Sequence, residues 1–287
     1  MSQSLYGMAL AFAGALIISP DVLFMRWSGL DGPQMMAWRG LLMGATMLLI
    51  WAALRAARRR QGASRLVHRA APLAICLQAA NAAIFATGIA VAPVSVVLFC
   101  VATVPIWAAA MGAVFLKEGM GRSTLLTSLV VMGGIGLSVF GSHEGAGDPV
   151  LGVVCGLGVA LCLAGIFTTY RANPDLPILP TLGLGGLLAG GIGLALSDGI
   201  AVGGFELFAI AVTGVVLLPA AFFLTSMASR HTQGANVSLF MLLETVIGPL
   251  VVWAVLGERV PPQALVGGAI VIVALFVYLN HERRRVA

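Results

Sequence analysis

Ten apolar stretches, each close to 20 residues long, divide this sequence and limit what it can fold into more than any other feature. At a rise of about 1.5 Å per residue, roughly 20 helical residues cross the ~30 Å hydrocarbon core of a bilayer. Of the 287 residues, 60% are hydrophobic and 9% are charged, against about 25% charged in a soluble domain. We therefore predict an all-α membrane protein with ten transmembrane helices. The predicted spans are 5–25, 34–54, 70–91, 93–116, 123–140, 150–170, 178–197, 205–226, 235–256 and 263–280.

The distribution of basic residues predicts how these spans are oriented. Lys and Arg accumulate on the cytoplasmic side of membrane proteins. With the N-terminus inside, 13 of the 16 basic residues fall in cytoplasmic segments, whereas Arg26 and Arg259 fall outside and Arg39 lies within a span. We predict a multi-pass protein of the bacterial inner membrane with both termini cytoplasmic. The net charge of +5 follows from this bias, so it predicts contact with anionic lipid and no nucleic-acid partner.

The pattern of the first half of the chain recurs in the second half. FLKEGMGRS joins spans four and five, VLGERVPPQ joins spans nine and ten, and Glu118 and Glu258 lie 140 residues apart. Five helices per repeat is an odd number, so the second copy would cross the membrane in the opposite sense. Inverted repeats of this kind build many secondary transporters around a midplane site. We predict two inverted five-helix repeats, residues 1–145 and 146–287, which form one membrane domain around a central cavity.

Span nine carries a carboxylate near the predicted midplane, where an ionisable group is costly. Asn236, Phe240 and Glu244 recur at i, i+4 and i+8, so we expect them to share one helix face. Three roles are open for Glu244: a protonated carboxyl that bonds the backbone where the helix breaks near Pro249, a proton carrier, or an acceptor for a substrate's ammonium group.

Spans three and four each carry a stripe of polar and aromatic side chains at helical spacing. The stripe in span three either bonds a neighbouring helix or lines the cavity. The stripe in span four flanks Pro105, which removes a backbone hydrogen bond and can kink the helix; its aromatic side chains either pack in the core or line the cavity. The candidate cavity residues of these two spans are Gln78, Asn81, Phe85, Phe99, Thr103 and Trp107.

Further charged residues lie towards the ends of the spans. Asp21 and Arg39 lie near the outer ends of spans one and two, where an ion pair would lower the cost of both charges. We expect that ion pair; the alternative is that Arg39 binds a substrate carboxylate. Glu118 and Glu258 end matching helices, and we expect each to bond backbone or basic partners there. The gate or helix-end candidates are Glu118, Glu258, Pro105 and Pro249.

The motif that begins at residue 242, LLETVIGPLVVWAVLGERVPPQALVGGAIVI, resembles the signature of the drug/metabolite transporter superfamily, EamA type. The segment VATVPIWAAAMGAVFLKE echoes it in the first half. The resemblance implies a ten-helix exporter of small metabolites, similar to bacterial aromatic-amino-acid exporters. Two departures bear on local gate geometry: Thr245 stands where the motif often has proline, and Lys117 stands where it usually has glycine.

The predicted function is export of small metabolites by alternating access, with amino acids, including aromatic ones, as the leading class. A multidrug or lipophilic-cation exporter of the same fold is the alternative. The sequence has no G-x-x-x-x-G-K-[ST] loop, so ATP hydrolysis is not the expected drive. It shows neither the midplane cluster of a membrane-embedded enzyme nor the charged ring of a channel.

The expected partners are a small-molecule substrate and the lipid bilayer. The four histidines form no ligand spacing, so we predict no metal and no cofactor. The glycine-rich LGLGGLLAGGIG of span seven predicts a close-packing face. That face lies either within the bundle or between the subunits of a homodimer.

Overall fold

A computed structural model describes residues 3–57, 68–92, 94–119, 121–140, 148–199, 201–244, 247, 251, 254–255 and 262–286. These residues are predominantly helical and include no β-strand. The helices are α1 (Gln3–Ile18), α2 (Asp21–Ser28), α3 (Gly32–Ala57), α4 (Ala71–Val91), α5 (Val94–Val101), α6 (Val104–Leu116), α7 (Arg122–Phe140), α8 (Pro149–Ala172), α9 (Ile178–Leu196), α10 (Gly204–Ala211), a π-helical turn (Val212–Leu217), α11 (Leu218–His231), α12 (Gly234–Met241) and α13 (Pro262–Val286).

Seven helices of the described chain are long and apolar enough to cross a bilayer. They are Gln3–Met25, Gly32–Ala57, Ala71–Gly88, Val96–Leu116, Val150–Ala172, Ile178–Leu196 and Gly204–His231. Shorter apolar helices, Arg122–Leu137 and Val266–Tyr278, lie at predicted spans five and ten. Span nine falls partly outside the described residues. Pro249 and Glu258 lie outside them. The all-α, multi-pass prediction is confirmed, while the count of ten and the inverted repeat stay predictions.

The outer surface of the bundle is apolar, as a lipid-facing surface must be. Leu49, Val114, Phe115 and Phe276 are each about 70% exposed. Large apolar side chains in such number on the outside of a soluble monomer would form a patch that promotes association. The same apolar side chains are stable against the hydrocarbon of a bilayer. Their exposure therefore fits helices whose length and hydropathy suit a membrane.

Helices α3 and α9 pack with their backbones in contact. A Cβ atom added to Gly40 would lie 2.5 Å from the backbone nitrogen of Gly190, and one added to Gly44 would lie 2.7 Å from the carbonyl oxygen of Gly183. No side chain fits there, which is how small residues let membrane helices approach closely. The glycine face predicted for span seven therefore packs within the chain, against α3.

Most of the remaining helices also pack in pairs. Helix α4 packs on α8, and α1 packs on α11; α7 packs on α13. Helix α8 also contacts α5 and α6, and α1 also contacts α12. Helices α1 and α8 thus each pack against one long helix and one interrupted helix of the other half of the chain.

A two-residue turn interrupts the α5–α6 span, and another follows α12. Helix α5 ends at Val101 and α6 begins at Val104, one residue before Pro105. The amide of Thr103 donates to the carbonyl of Cys100 at 3.1 Å, a tighter turn than an α-helix makes. Helix α12 ends at Met241, and the amide of Leu243 likewise bonds three residues back, at 3.0 Å.

The end of α6 has a backbone conformation that glycine normally supplies. Lys117 follows the helix with φ 55° and ψ 27°, in the left-handed region. The amides of Lys117 and Glu118 both donate to the carbonyl of Gly112, which satisfies the end of the helix. Lys117 thus adopts a left-handed geometry that glycine favours. Its side chain makes this geometry sterically costly.

Candidate functional site

A cavity of about 510 Å³ lies between the helices. Its lining comes from the second half of α1, the first turns of α3, the middle of α4, the start of α11 and the end of α12. Asp31, which is exposed between α2 and α3, also lines it, so the cavity reaches the surface at that end of the bundle. Its volume suits a single small molecule.

An ion pair lies on the wall of this cavity. Arg39 on α3 donates from Nη2 to Oδ2 of Asp21, the first residue of α2, at 2.7 Å. The side chain of Asp21 is 4% exposed and that of Arg39 is 14% exposed. The expected ion pair is therefore confirmed, and both partners line the cavity. Arg39 Nη1 and Asp21 Oδ1 are buried and have no partner among the described residues.

The stripe of α4 forms another part of the wall. Gln78, Asn81 and Phe85 all line the cavity, as the cavity-lining interpretation of this stripe predicts. Gln78 and Asn81 are buried, and the oxygen of each side-chain amide lacks a partner among the described residues. Amide groups that had been placed to join two helices would instead be paired, so this geometry favours a role towards the cavity.

Glu244 also lines the cavity, half-buried, directly after the turn that ends α12. Asp21 and Arg39 line the same cavity. Since Asp21 and Arg39 balance each other, ionisation of Glu244 would add one negative charge to this part of the wall.

Two candidates of span nine are placed in helix packing rather than on the cavity wall. Asn236 donates from Nδ2 to Thr232 Oγ1 at 3.0 Å and accepts from Tyr278 of α13. Phe240 is fully buried and meets Phe12 edge to face. Neither residue lines the cavity, unlike Glu244, and α12 ends at Met241, before the turn that precedes Glu244.

The candidates of span four, Phe99, Thr103 and Trp107, likewise do not line the cavity. Thr103 donates to the Cys100 carbonyl at 2.6 Å and accepts from the Trp107 indole at 3.2 Å, so it supports the break in the span. Phe99 and Trp107 pack against the buried core. The wall is instead formed on either side of that break, by Val101 and Val104.

Sequence reasoning missed a methionine-rich part of the wall. The lining methionines are Met25, Met35, Met36, Met43 and Met241. Met36, Arg39 and Met43 have the spacing i, i+3, i+7, which is also the spacing of the stripe in α4. The signal was therefore present in the sequence, where Arg39 was expected in an ion pair with Asp21 and the methionines were given no role.

The end of the bundle away from the cavity mouth is held closed by polar contacts. Arg171, at the end of α8, donates from Nε to Glu118 at 2.8 Å and from Nη1 to the Arg230 carbonyl at 2.9 Å. Arg230 in turn donates to the carbonyl of Leu176. Glu118 thus has the basic partner that was expected for it, and the contact joins the two halves of the chain.

Comparison with known proteins bears on the fold alone. No family model matches the chain, and no match was found among curated proteins. Twenty-five chains of solved structures match. One of them, a crystal structure of a protein, has a TM-score of 0.79 and 14% sequence identity, and the match covers 95% of this chain and 96% of that one.

Among the described residues, no group of three His, Cys, Asp or Glu side chains could hold a metal ion.

Proposed function

We propose that this chain is a secondary transporter of the drug/metabolite transporter type that exports small metabolites, foremost amino acids, across the bacterial inner membrane. Ten spans in two inverted five-helix repeats would enclose the cavity. With both termini cytoplasmic, the cavity mouth beside Asp31 faces outward, and the contacts around Arg171 close the cytoplasmic end. Transport would alternate between this state and one that opens at the opposite end.

The observation that carries this proposal is a polar site inside an apolar bundle with one open end. Asp21, Arg39, Gln78, Asn81 and Glu244 come together on the wall of one cavity, although ionisable groups within membrane spans are costly. A purely structural bundle gains nothing from such a cavity. A carrier requires one that reaches one side of the membrane at a time.

The packing and the helix breaks support the inverted repeat. Leu242 and Leu243, at the turn after α12, lie 140 residues beyond Ala102 and Thr103, at the break between α5 and α6. This is the spacing of Glu118 and Glu258. The contact of α4 with α8 has its counterpart in that of α11 with α1, as a two-fold axis within the membrane plane would require.

Counterflow in proteoliposomes tests the proposal. Vesicles that hold the purified protein and an unlabelled amino acid should take up the same labelled amino acid from outside, without a conductance. Ala82→Trp, which fills the cavity from α4, should abolish this exchange, whereas Leu73→Trp on the lipid-facing side of the same helix should not. A panel of aromatic, branched and polar amino acids identifies the substrate. A conductance without exchange would show a channel.

A lipophilic cation is the second candidate substrate, because an ionised Glu244 would add a negative charge that the Asp21–Arg39 pair does not balance. Tetraphenylphosphonium belongs in the same panel for that reason. Exchange of this cation without exchange of any amino acid would favour the multidrug function.

A further inference from the structure

Buried polar atoms without partners gather around the cavity. Seven buried side-chain nitrogen or oxygen atoms lack a hydrogen-bond partner among the described residues, and four of them belong to residues that line it. The four are Asp21 Oδ1, Arg39 Nη1, Gln78 Oε1 and Asn81 Oδ1. Folded proteins satisfy most buried polar atoms, because desolvating such an atom without a partner is unfavourable. Their concentration at one cavity leaves donors and acceptors there that a polar ligand could use.

The ion pair offers one donor and one acceptor on neighbouring groups. Its bond uses Nη2 of Arg39 and Oδ2 of Asp21, which leaves Nη1 as a donor and Oδ1 as an acceptor. An α-amino acid carries its carboxylate and its ammonium group on one carbon atom, which is the complementary arrangement. Hydrogen bonds to charged groups are strong in a buried site.

The fold holds both groups in place. Gly40 follows Arg39 and touches the backbone of Gly190 on α9, so the α3 backbone cannot shift towards α9. Asp21 begins α2, where the helix dipole favours a negative charge. Because the guanidinium and the carboxylate are already bonded to each other, they lose little freedom when a ligand binds.

We propose that the Asp21–Arg39 pair is the head-group site for an α-amino acid, in which Arg39 binds the carboxylate and Asp21 binds the ammonium group. This proposal rests on the proposed function and names the residues that recognise the two charges of the substrate. Because the pair is neutral overall, a zwitterion binds without leaving an unbalanced charge. The substrate side chain lies against Phe85 and the methionines of the wall, whose flexible thioethers accept varied apolar shapes.

Binding of three related probes to the purified protein tests the head-group site. The probes are L-phenylalanine, L-phenylalaninamide, which lacks the carboxylate, and 3-phenylpropionate, which lacks the ammonium group. The wild type should bind phenylalanine about 10- to 150-fold more tightly than either analogue, the effect of one charge-assisted hydrogen bond. Arg39→Gln should abolish the preference over the amide, and Asp21→Asn should abolish the preference over 3-phenylpropionate.

The double variant Asp21→Asn/Arg39→Gln guards against misfolding, because it leaves no unpaired buried charge. It should lose both preferences, whereas Arg55→Gln, an exposed position on the same helix, should keep both. If the double variant keeps the wild-type preferences, the pair is structural and the head-group proposal is overturned. If the wild type binds none of the three probes, export of aromatic amino acids fails as well. The two failures are therefore distinguishable.

Discussion

At the scale of single residues, Glu244 is a carboxylic acid of the cavity wall outside the Asp21–Arg39 ion pair. It follows a turn rather than lying within a continuous helix, and it lines the cavity beside a balanced ion pair. A zwitterion fits this site best when Glu244 is neutral, and a cation fits best when it is ionised. The protonation state of Glu244 therefore bears on which of the two proposed substrate classes the cavity would bind.

Glu244→Gln separates the three roles that its sequence position left open. If the carboxyl is protonated and structural, the substitution should leave amino-acid counterflow within about twofold, because glutamine keeps a donor and an acceptor. We expect this outcome. Loss of pH-driven uptake with intact exchange would identify a proton carrier. Loss of exchange itself would assign the ammonium group to Glu244 instead of Asp21.

Among single residues, the sequence predicted those whose helices run unbroken. The stripe Gln78, Asn81 and Phe85 lies on the cavity wall because α4 is continuous from Ala71 to Val91. Asn236 and Phe240 were grouped with Glu244 on the same argument, but α12 ends at Met241, and of the three Glu244 alone lines the cavity. Helical periodicity transmits position only as far as the helix continues, and the break at Leu242 has no glycine or proline to mark it.

At the scale of helices, the close contact of α3 with α9 is the packing feature that the sequence predicted well. The glycines of span seven indicated a close-packing face, but periodicity could not say whether the partner was another subunit or the same chain. The structure places α3 there, and Gly40 and Gly44 complete the contact. This contact also fixes the position of Arg39.

Two neighbouring glycines on α9 test this packing. A Cβ atom at Gly190 would lie 2.6 Å from the backbone nitrogen of Leu41, whereas one at Gly191 would meet nothing within 4 Å. Gly190→Ala should destabilise the protein by about 1–3 kcal/mol through overpacking. Gly191→Ala should be neutral or stabilising by up to about 1 kcal/mol, from helix propensity. Thermal unfolding in detergent compares them, and equal melting temperatures would contradict the backbone contact.

At the scale of the whole molecule, the cavity reaches one end of the bundle while polar contacts close the other. The closing contacts join residues that are distant in sequence: Arg171 with Glu118, and Gln233 Nε2 with the Gly119 carbonyl at 3.4 Å. Sequence alone predicted helices, a cavity and an acidic residue at this end. It could not predict which end was closed, because the spacing of residues along a helix is the same whichever end of the bundle is open.

Locking the closed end tests alternating access most directly. With the four native cysteines replaced by alanine, Gly119→Cys and Gln233→Cys can be joined by a cleavable bismaleimide. Cysteines at Ala172 and Asp175, both exposed and close in sequence, provide the control pair. The account predicts that the joined Gly119–Gln233 protein still binds its amino acid but shows no counterflow, and that cleavage restores it. Undiminished counterflow with this end locked would contradict the account.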